Sequence, residues 1–122
     1  MGETVTSQGP NYYLPTVLTN VSNDMPIASN EIFCPVSPII QFEDERQVIE
    51  LTNTTEYGLA AYFYSRDVGR IFRVARALEF GMVGINEGAI SNAAAPFGGM
   101  KQSGNGRESS RCELDGYCSG RL

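Results

Sequence analysis

Hydrophobic and polar positions along this chain change period repeatedly, and each change marks an element. Residues 11–21, NYYLPTVLTNV, are β-branched and aromatic with Pro15 near the middle. Proline cannot donate to a central ladder, so the stretch predicts an edge strand or an extended arm. Residues 22–30, SNDMPIASN, are turn formers suited to the surface. In residues 31–42, EIFCPVSPIIQF, two prolines keep the first half extended and the second half reads as strand.

A helical period then begins. Glu43, Asp44 and Glu45 put negative charge where a helix N-terminus attracts it, Val48, Ile49 and Leu51 follow, and the pattern stops at Asn53, with Gly58 a terminator or turn beyond. Leu59 to Tyr64 predicts a buried strand. Asp67 is a candidate N-cap, and Val68, Ile71, Phe72, Ala75 and Leu78 recur at helical spacing until Gly81. Arg70, Arg73 and Arg76 occupy the other side, and a solvated helix face explains them better than an acidic partner does. A strand from Met82 to Asn86 then leads towards PFGGMKQSGNGRE, residues 96–108. After Arg107 the letters ESSRCELDGYCSGRL show little periodicity; a helix start at Ser109 or Ser110 is open to them, and Gly116 and Gly120 argue against a long continuation.

Strand, helix, strand, helix, strand with short connections predicts the α/β class, a parallel-sheet βαβαβ unit. Three strands and two helices leave such a layer incomplete, because a parallel sheet needs both faces covered. The expectation is therefore a part of a larger domain or assembly.

Composition narrows the function classes. With 122 residues, 42% of them hydrophobic and 19% charged, the chain fits one small folded domain. A net charge of −5 and a single lysine, Lys101, argue against a phosphate-tracking surface, so no nucleic-acid partner is expected. MGETVTSQGP lacks the basic start and apolar core of a secretory signal, and the longest apolar run, Leu59 to Tyr64, is far too short for a membrane span. The expectation is a cytoplasmic protein without a membrane partner, or a mitochondrial-matrix one if a targeting segment lies upstream.

The chain has three cysteines, no CxxC pair and no histidine. No Ser/His/Asp or Cys/His arrangement can be built from it, and no metal site is expected. The acidic run at residues 43–45 suits a helix dipole better than a hard cation. Cys34, between Phe33 and Pro35 with no basic neighbour, reads as an inert, packed thiol. Gly104, Gly106 and Ser109 imitate a dinucleotide fingerprint but do not directly follow a strand, so that reading is rejected.

The glycine-rich stretch has two readings. Gly98, Gly99, Gly104 and Gly106, interleaved with Phe97, Met100, Lys101 and Arg107, suit either a shaped loop on the wall of a pocket or an ordinary surface turn. Composition alone favours the turn.

Three separated motifs reverse that preference. EIFCPVSPIIQFEDERQVIELTNTTEYGLAAYFYSRD, FRVARALEFGMVGINEGAIS and APFGGMKQSGNGRE resemble, in order and spacing, the C-terminal part of NAD(P)-dependent aldehyde dehydrogenases, most nearly the succinate-semialdehyde type. The resemblance covers residues 9 to about 111 and implies that residues 1–122 are the end of the catalytic domain, without the nucleotide-binding domain. It implies a reaction in which a cysteine thiolate attacks the aldehyde, hydride passes to the nicotinamide of NAD or NADP, and water activated by a glutamate releases the acid. The motifs carrying that cysteine and glutamate do not occur here, so no catalytic residue is assigned.

By matching position, Glu31 falls on the glutamate that binds the nicotinamide ribose and Phe33 on the aromatic residue beside the nicotinamide ring. Phe97 falls on the aromatic wall of the substrate tunnel, and Ser91 on a serine that helps hold the carboxylate of succinic semialdehyde. The alternatives are a solvated Glu31, core Phe33 and Phe97, and a loop-capping Ser91. Cys34 stands where the family has glycine, and the segment after Arg111 is shorter than the family's closing helix and strand, which the family uses in oligomers. Two readings follow: a fragment of an aldehyde-oxidising enzyme that is inactive alone, or a non-catalytic remnant acting as a binding or assembly module. The partners expected are a small aldehyde in the full-length enzyme, and self-association or docking onto a full-length subunit.

Overall fold

A computed structural model describes residues 9–118, which fall into two compact units divided between Val48 and Ile49. In the first unit, strand β1 (Thr16–Leu18) lies parallel to β2 (Val36–Pro38), with Thr16 opposite Val36. Pro35, which precedes β2 and has no N–H to give, joins the ladder through its carbonyl: the amide of Thr16 donates to Pro35 O at 2.8 Å. Thr16 is buried, and its hydroxyl donates to Leu14 O at 2.8 Å, so burial leaves no orphan. A single helical turn, α1 (Pro26–Ser29), interrupts the stretch expected as turn; proline at its start supplies the helical φ without losing a hydrogen bond.

Helix α2 (Glu45–Asn53) starts in the first unit. Asp44 Oδ1 accepts from the amide of Gln47 at 2.8 Å, and Gln47 Oε1 reaches one residue further back to accept from the amide of Glu43 at 2.5 Å, a variant of the capping box that fixes where the helix begins.

The second unit is built on a βαβ crossover. Strand β4 (Ala60–Phe63) runs parallel to β5 (Met82–Ile85), and helix α3 (Val68–Ala77) connects them. Asp67 caps α3, as the sequence predicts, by accepting from the amide of Arg70 at 2.5 Å. Asn86, at φ 56°, locks the far end of the crossover: its amide group gives to Ser65 O and takes from Ser65 N, both at 2.8 Å. A short antiparallel pair, β3 (Tyr57–Gly58) with β6 (Met100–Lys101), folds the glycine-rich stretch back onto the residues before β4.

The α/β class and the parallel pairing are therefore found, distributed over separate pairs. The strand at residues 36–38 pairs with β1, and β4 pairs with β5. Along β4 burial alternates, with Ala61 buried and Tyr62 47% exposed, so only one face is covered where the hydrophobic run predicted two. The buried apolar residues among those described are Val21, Ala61 and Val74. A helix does not start at Ser109 or Ser110, because both sit in the left-handed region, at φ 59° and 56°. A 3-10 turn, Glu113–Gly116, follows instead. Among the described residues no helix is long and apolar enough to cross a membrane.

Candidate functional site

The glycine-rich stretch is a closed, packed loop. Phe97 and Glu108 exchange both backbone hydrogen bonds, at 2.9 and 2.7 Å, which shuts residues 97–108 into a ring. Inside it, Arg107 Nη1 donates to Gly99 O at 2.9 Å and Gly106 O at 2.8 Å, with Asn105 O at 3.4 Å. A guanidinium spent on backbone carbonyls organises the loop rather than facing solvent.

The glycines divide by need. A Cβ on Gly98 would run into Gly106 O and stand 2.6 Å from Arg107 Cδ, and one on Gly99 would stand 2.5 Å from Ser103 Cβ. Gly81, at the head of β5, has no room for a side chain because Gly98 O and the Cα of Gly99 lie against it. Gly104 is required for a different reason, its φ of 98°. Gly106 has neither constraint, with open space where a side chain would be.

A second cation fixes the loop from outside. Lys101, itself at φ 54°, places its ammonium 2.7 Å from Glu79 Oε2, 2.9 Å from Asn53 O and 3.1 Å from Thr55 O, one acceptor for each N–H it carries. Gln102 N donates to Glu56 O at 2.9 Å, and Gly58 N donates to Ser103 Oγ at 3.0 Å. Residues 101–103 are thereby laced to residues 53–58. The sequence alone assigns no role to Lys101 or Arg107; the signal it carries is a pair of cations, one of them the chain's single lysine, set among glycines.

Phe97 is half-buried and lines a cavity of about 440 Å³ with Leu59, Arg107, Glu108 and Tyr117. That volume lies within the range of small-molecule sites. Ser91 is exposed in the segment between β5 and the loop, and the local cap there belongs to Asn92, whose Oδ1 accepts from the amide of Ala94 at 2.8 Å. In the first unit Glu31 and Phe33 are both exposed, Phe33 at 92%, between α1 and β2.

Cys34 is exposed rather than packed. The turn that brings Val36 N to 2.7 Å from Cys34 O bends the chain just before β2 and leaves the thiol outside the ladder. Among the described residues no group of three His, Cys, Asp or Glu side chains could hold a metal ion. The Asp24 carboxyl lies below its usual range because the Ser22 hydroxyl, and then its own backbone, donate to it.

Comparison with known proteins bears on the whole chain. The sequence model of the Aldehyde dehydrogenase family matches residues 2–121. A succinate-semialdehyde dehydrogenase of Paenarthrobacter nicotinovorans is 61% identical over 101 residues, 82% of this chain and 22% of that protein. A 3-sulfolactaldehyde dehydrogenase of Pseudomonas putida is 54% identical over 109 residues, 89% of this chain and again 22% of the relative. The crystal structure of succinate-semialdehyde dehydrogenase from Burkholderia pseudomallei superposes with a TM-score of 0.90 at 54% identity, over 96% of this chain and 24% of that one. The chain thus spans less than a quarter of the length of these relatives. With a family model that matches almost end to end, and relatives of this identity, the chain belongs to the aldehyde dehydrogenase family.

Proposed function

We propose that residues 1–122 are the C-terminal portion of an aldehyde dehydrogenase catalytic domain and supply one wall of its pocket for NAD(P)-linked oxidation of an aldehyde, succinic semialdehyde first. The observation that carries this reading is the packed glycine loop, which holds the Phe97 ring at a cavity by two fixed cations. An aromatic wall aligns the apolar part of a short aldehyde and excludes water from the reacting carbonyl. Ser91, exposed and with a hydroxyl to donate, suits the far carboxylate of the substrate.

The exposed Glu31 and Phe33 fit a nicotinamide cofactor. An ionised carboxylate offers acceptors to both hydroxyls of a ribose, and an exposed ring can stack on a planar heterocycle. Bound there, NAD or NADP supplies the hydride acceptor. Glu31 orients and Phe33 shields; neither moves a proton.

The reactive sulfur and the general base of the proposed reaction belong to polypeptide outside these residues. The purified chain is therefore expected to give no NADH or NADPH absorbance with succinic semialdehyde. A chimaera in which residues 9–111 replace the matching region of the Burkholderia pseudomallei enzyme is expected to oxidise it. In that chimaera Phe97→Ala lowers kcat/KM at least tenfold; turnover by the lone chain, or an indifferent Phe97→Ala, overturns the reading. A second reading, a non-catalytic binding or assembly module, is supported by the many large apolar side chains left in solvent, including Phe42, Tyr64 and Phe72.

A further inference from the structure

Between β5 and the glycine loop, every residue from Asn86 to Pro96 is exposed except Ile90, which is half-buried. Ile90 turns back onto the strand the chain has just left. A Cβ on Gly84 would stand 2.8 Å from Ile90 Cγ2 and 2.5 Å from Tyr62 Cδ1, closer than real Cβ contacts come. Tyr62 is the partner of Gly84 across the β4–β5 pair, so its ring and Ile90 meet over a position that has no side chain. Gly84 is buried beneath them, inside a strand where glycine gives up stability and packing. Its φ is not left-handed, so close approach and not backbone freedom is what requires glycine there.

The segment on either side of Ile90 is fastened. Before it, Asn86 is locked to Ser65, and Glu87 Oε1 accepts from the amides of Gly88 at 3.0 Å and Ala89 at 3.4 Å. After it, Ala93 O accepts from the amide of Ser110 at 3.1 Å, and Ser110 holds a left-handed φ of 56° to give that bond. Ser91 stands between these points, next to Ile90. We propose that Gly84 is a positioning residue for substrate selection: its bare backbone seats Ile90 and so sets where the Ser91 hydroxyl meets the acid end of a semialdehyde. The proposal rests on the reading of Ser91 as donor to the substrate carboxylate. A methyl at position 84 leaves the half-exposed Tyr62 ring free to swing towards solvent, but the Ile90 contact still has to open. Ser91 follows, because neighbouring Cα atoms are held about 3.8 Å apart. A hydroxyl–carboxylate bond spans only about 2.5–3.0 Å, so a displacement on the order of 1 Å forfeits it. An aldehyde without an acid end makes no such bond and is indifferent to the shift.

The test compares succinic semialdehyde with butanal, a neutral aldehyde of the same carbon count, in the chimaera that carries residues 9–111. Gly84→Ala is expected to lower the ratio of the two kcat/KM values at least fivefold, through a higher KM for succinic semialdehyde, with kcat for butanal within twofold. Ile90→Ala empties the seat without crowding the sheet and decides the matter where Gly84→Ala does not fold; it is expected to lower the same ratio at least threefold. Added to Ser91→Ala, Gly84→Ala should change the ratio less than twofold further, because both act through one hydroxyl. Equal losses on the two aldehydes, which a merely structural role would give, overturn the proposal. So does a further fivefold fall in the ratio when Ser91 is already alanine. If Ser91→Ala shifts the ratio while Gly84→Ala and Ile90→Ala do not, the proposal alone fails. If Ser91→Ala leaves the ratio unchanged, the reading of Ser91 fails and the proposal with it.

Discussion

The ammonium of Lys101 lies 2.9 Å from the carbonyl oxygen of Asn53, the last residue of α2, although 48 positions separate them. A helix ends with carbonyls that lack partners, and a cation there both fills a hydrogen bond and opposes the negative end of the dipole. The side chain of the same Asn53 reaches the other way, giving to Ala77 O at 2.8 Å and taking from Glu79 N at 2.9 Å. The ends of both helices and the start of the glycine loop are therefore fastened at one point.

Removing the cation should release that point. Lys101→Met loses one charge-assisted bond to each of two carbonyls, and the unfolding free energy of the chain should fall by roughly 1–2 kcal/mol, read from urea titration. Glu79 is more than half exposed, so Glu79→Gln should cost less than about 0.5 kcal/mol. A Lys101 loss no larger than the Glu79 loss would mean that the carbonyl contacts contribute nothing.

Local pattern made some of this fold legible and left the rest hidden for identifiable reasons. Helix α3 was legible because apolar spacing, an Asp67 cap and charged residues on the far side agree with one another. Its outer flank was not: Val68 and Phe72 belong to the same apolar stripe, yet periodicity does not say how much of a stripe the chain itself can cover. The β3–β6 pair is two residues long on each side, too short for any alternation to register. Which strand β1 pairs with is a long-range choice that β-branched letters do not encode. The family of the glycine loop was readable from its motif. Its construction was not, because Arg107 and Lys101 act on backbone oxygens that every sequence possesses.

Thiol accessibility should follow the bend before β2. Cys34 and Cys118 are exposed and Cys112 is half-buried. Under native conditions, alkylation followed by peptide mass analysis should label Cys34 and Cys118 well before Cys112, and in denaturant the three should react alike. Native protection of Cys34 would restore the packed thiol that its sequence neighbours suggested.

Asp24 gives the chain a small acid-side dependence with a defined sign. Its carboxyl is held below the ordinary value of 3.8 by the Ser22 hydroxyl and then by its own backbone. A carboxyl depressed on folding contributes stability that is present above the unfolded value and lost as pH falls through the folded one. NMR titration should place the Asp24 midpoint below 3.8, and Ser22→Ala should move it up towards that value. An unmoved midpoint in Ser22→Ala would assign the shift to the backbone instead.

Glycine substitutions separate packing from conformational freedom within the one loop. At Gly98 an added methyl meets the carbonyl of Gly106 and the Arg107 side chain, and at Gly81 it meets the backbone of Gly98 and Gly99, so neither neighbour can step aside as a flexible side chain would. Overpacking of this kind costs about 1–3 kcal/mol, and Gly98→Ala and Gly81→Ala should each lower the urea midpoint accordingly. At Gly106 the space is open and φ is not left-handed. There Gly106→Ala reduces the freedom of the unfolded chain without a clash, and should be neutral or stabilise by up to about 1 kcal/mol. Gly104→Ala has equal space but must hold φ near 98°, so it should destabilise although it touches nothing. If Gly104→Ala and Gly106→Ala behave alike, the ring does not hold the backbone geometry on which the placement of Phe97 rests.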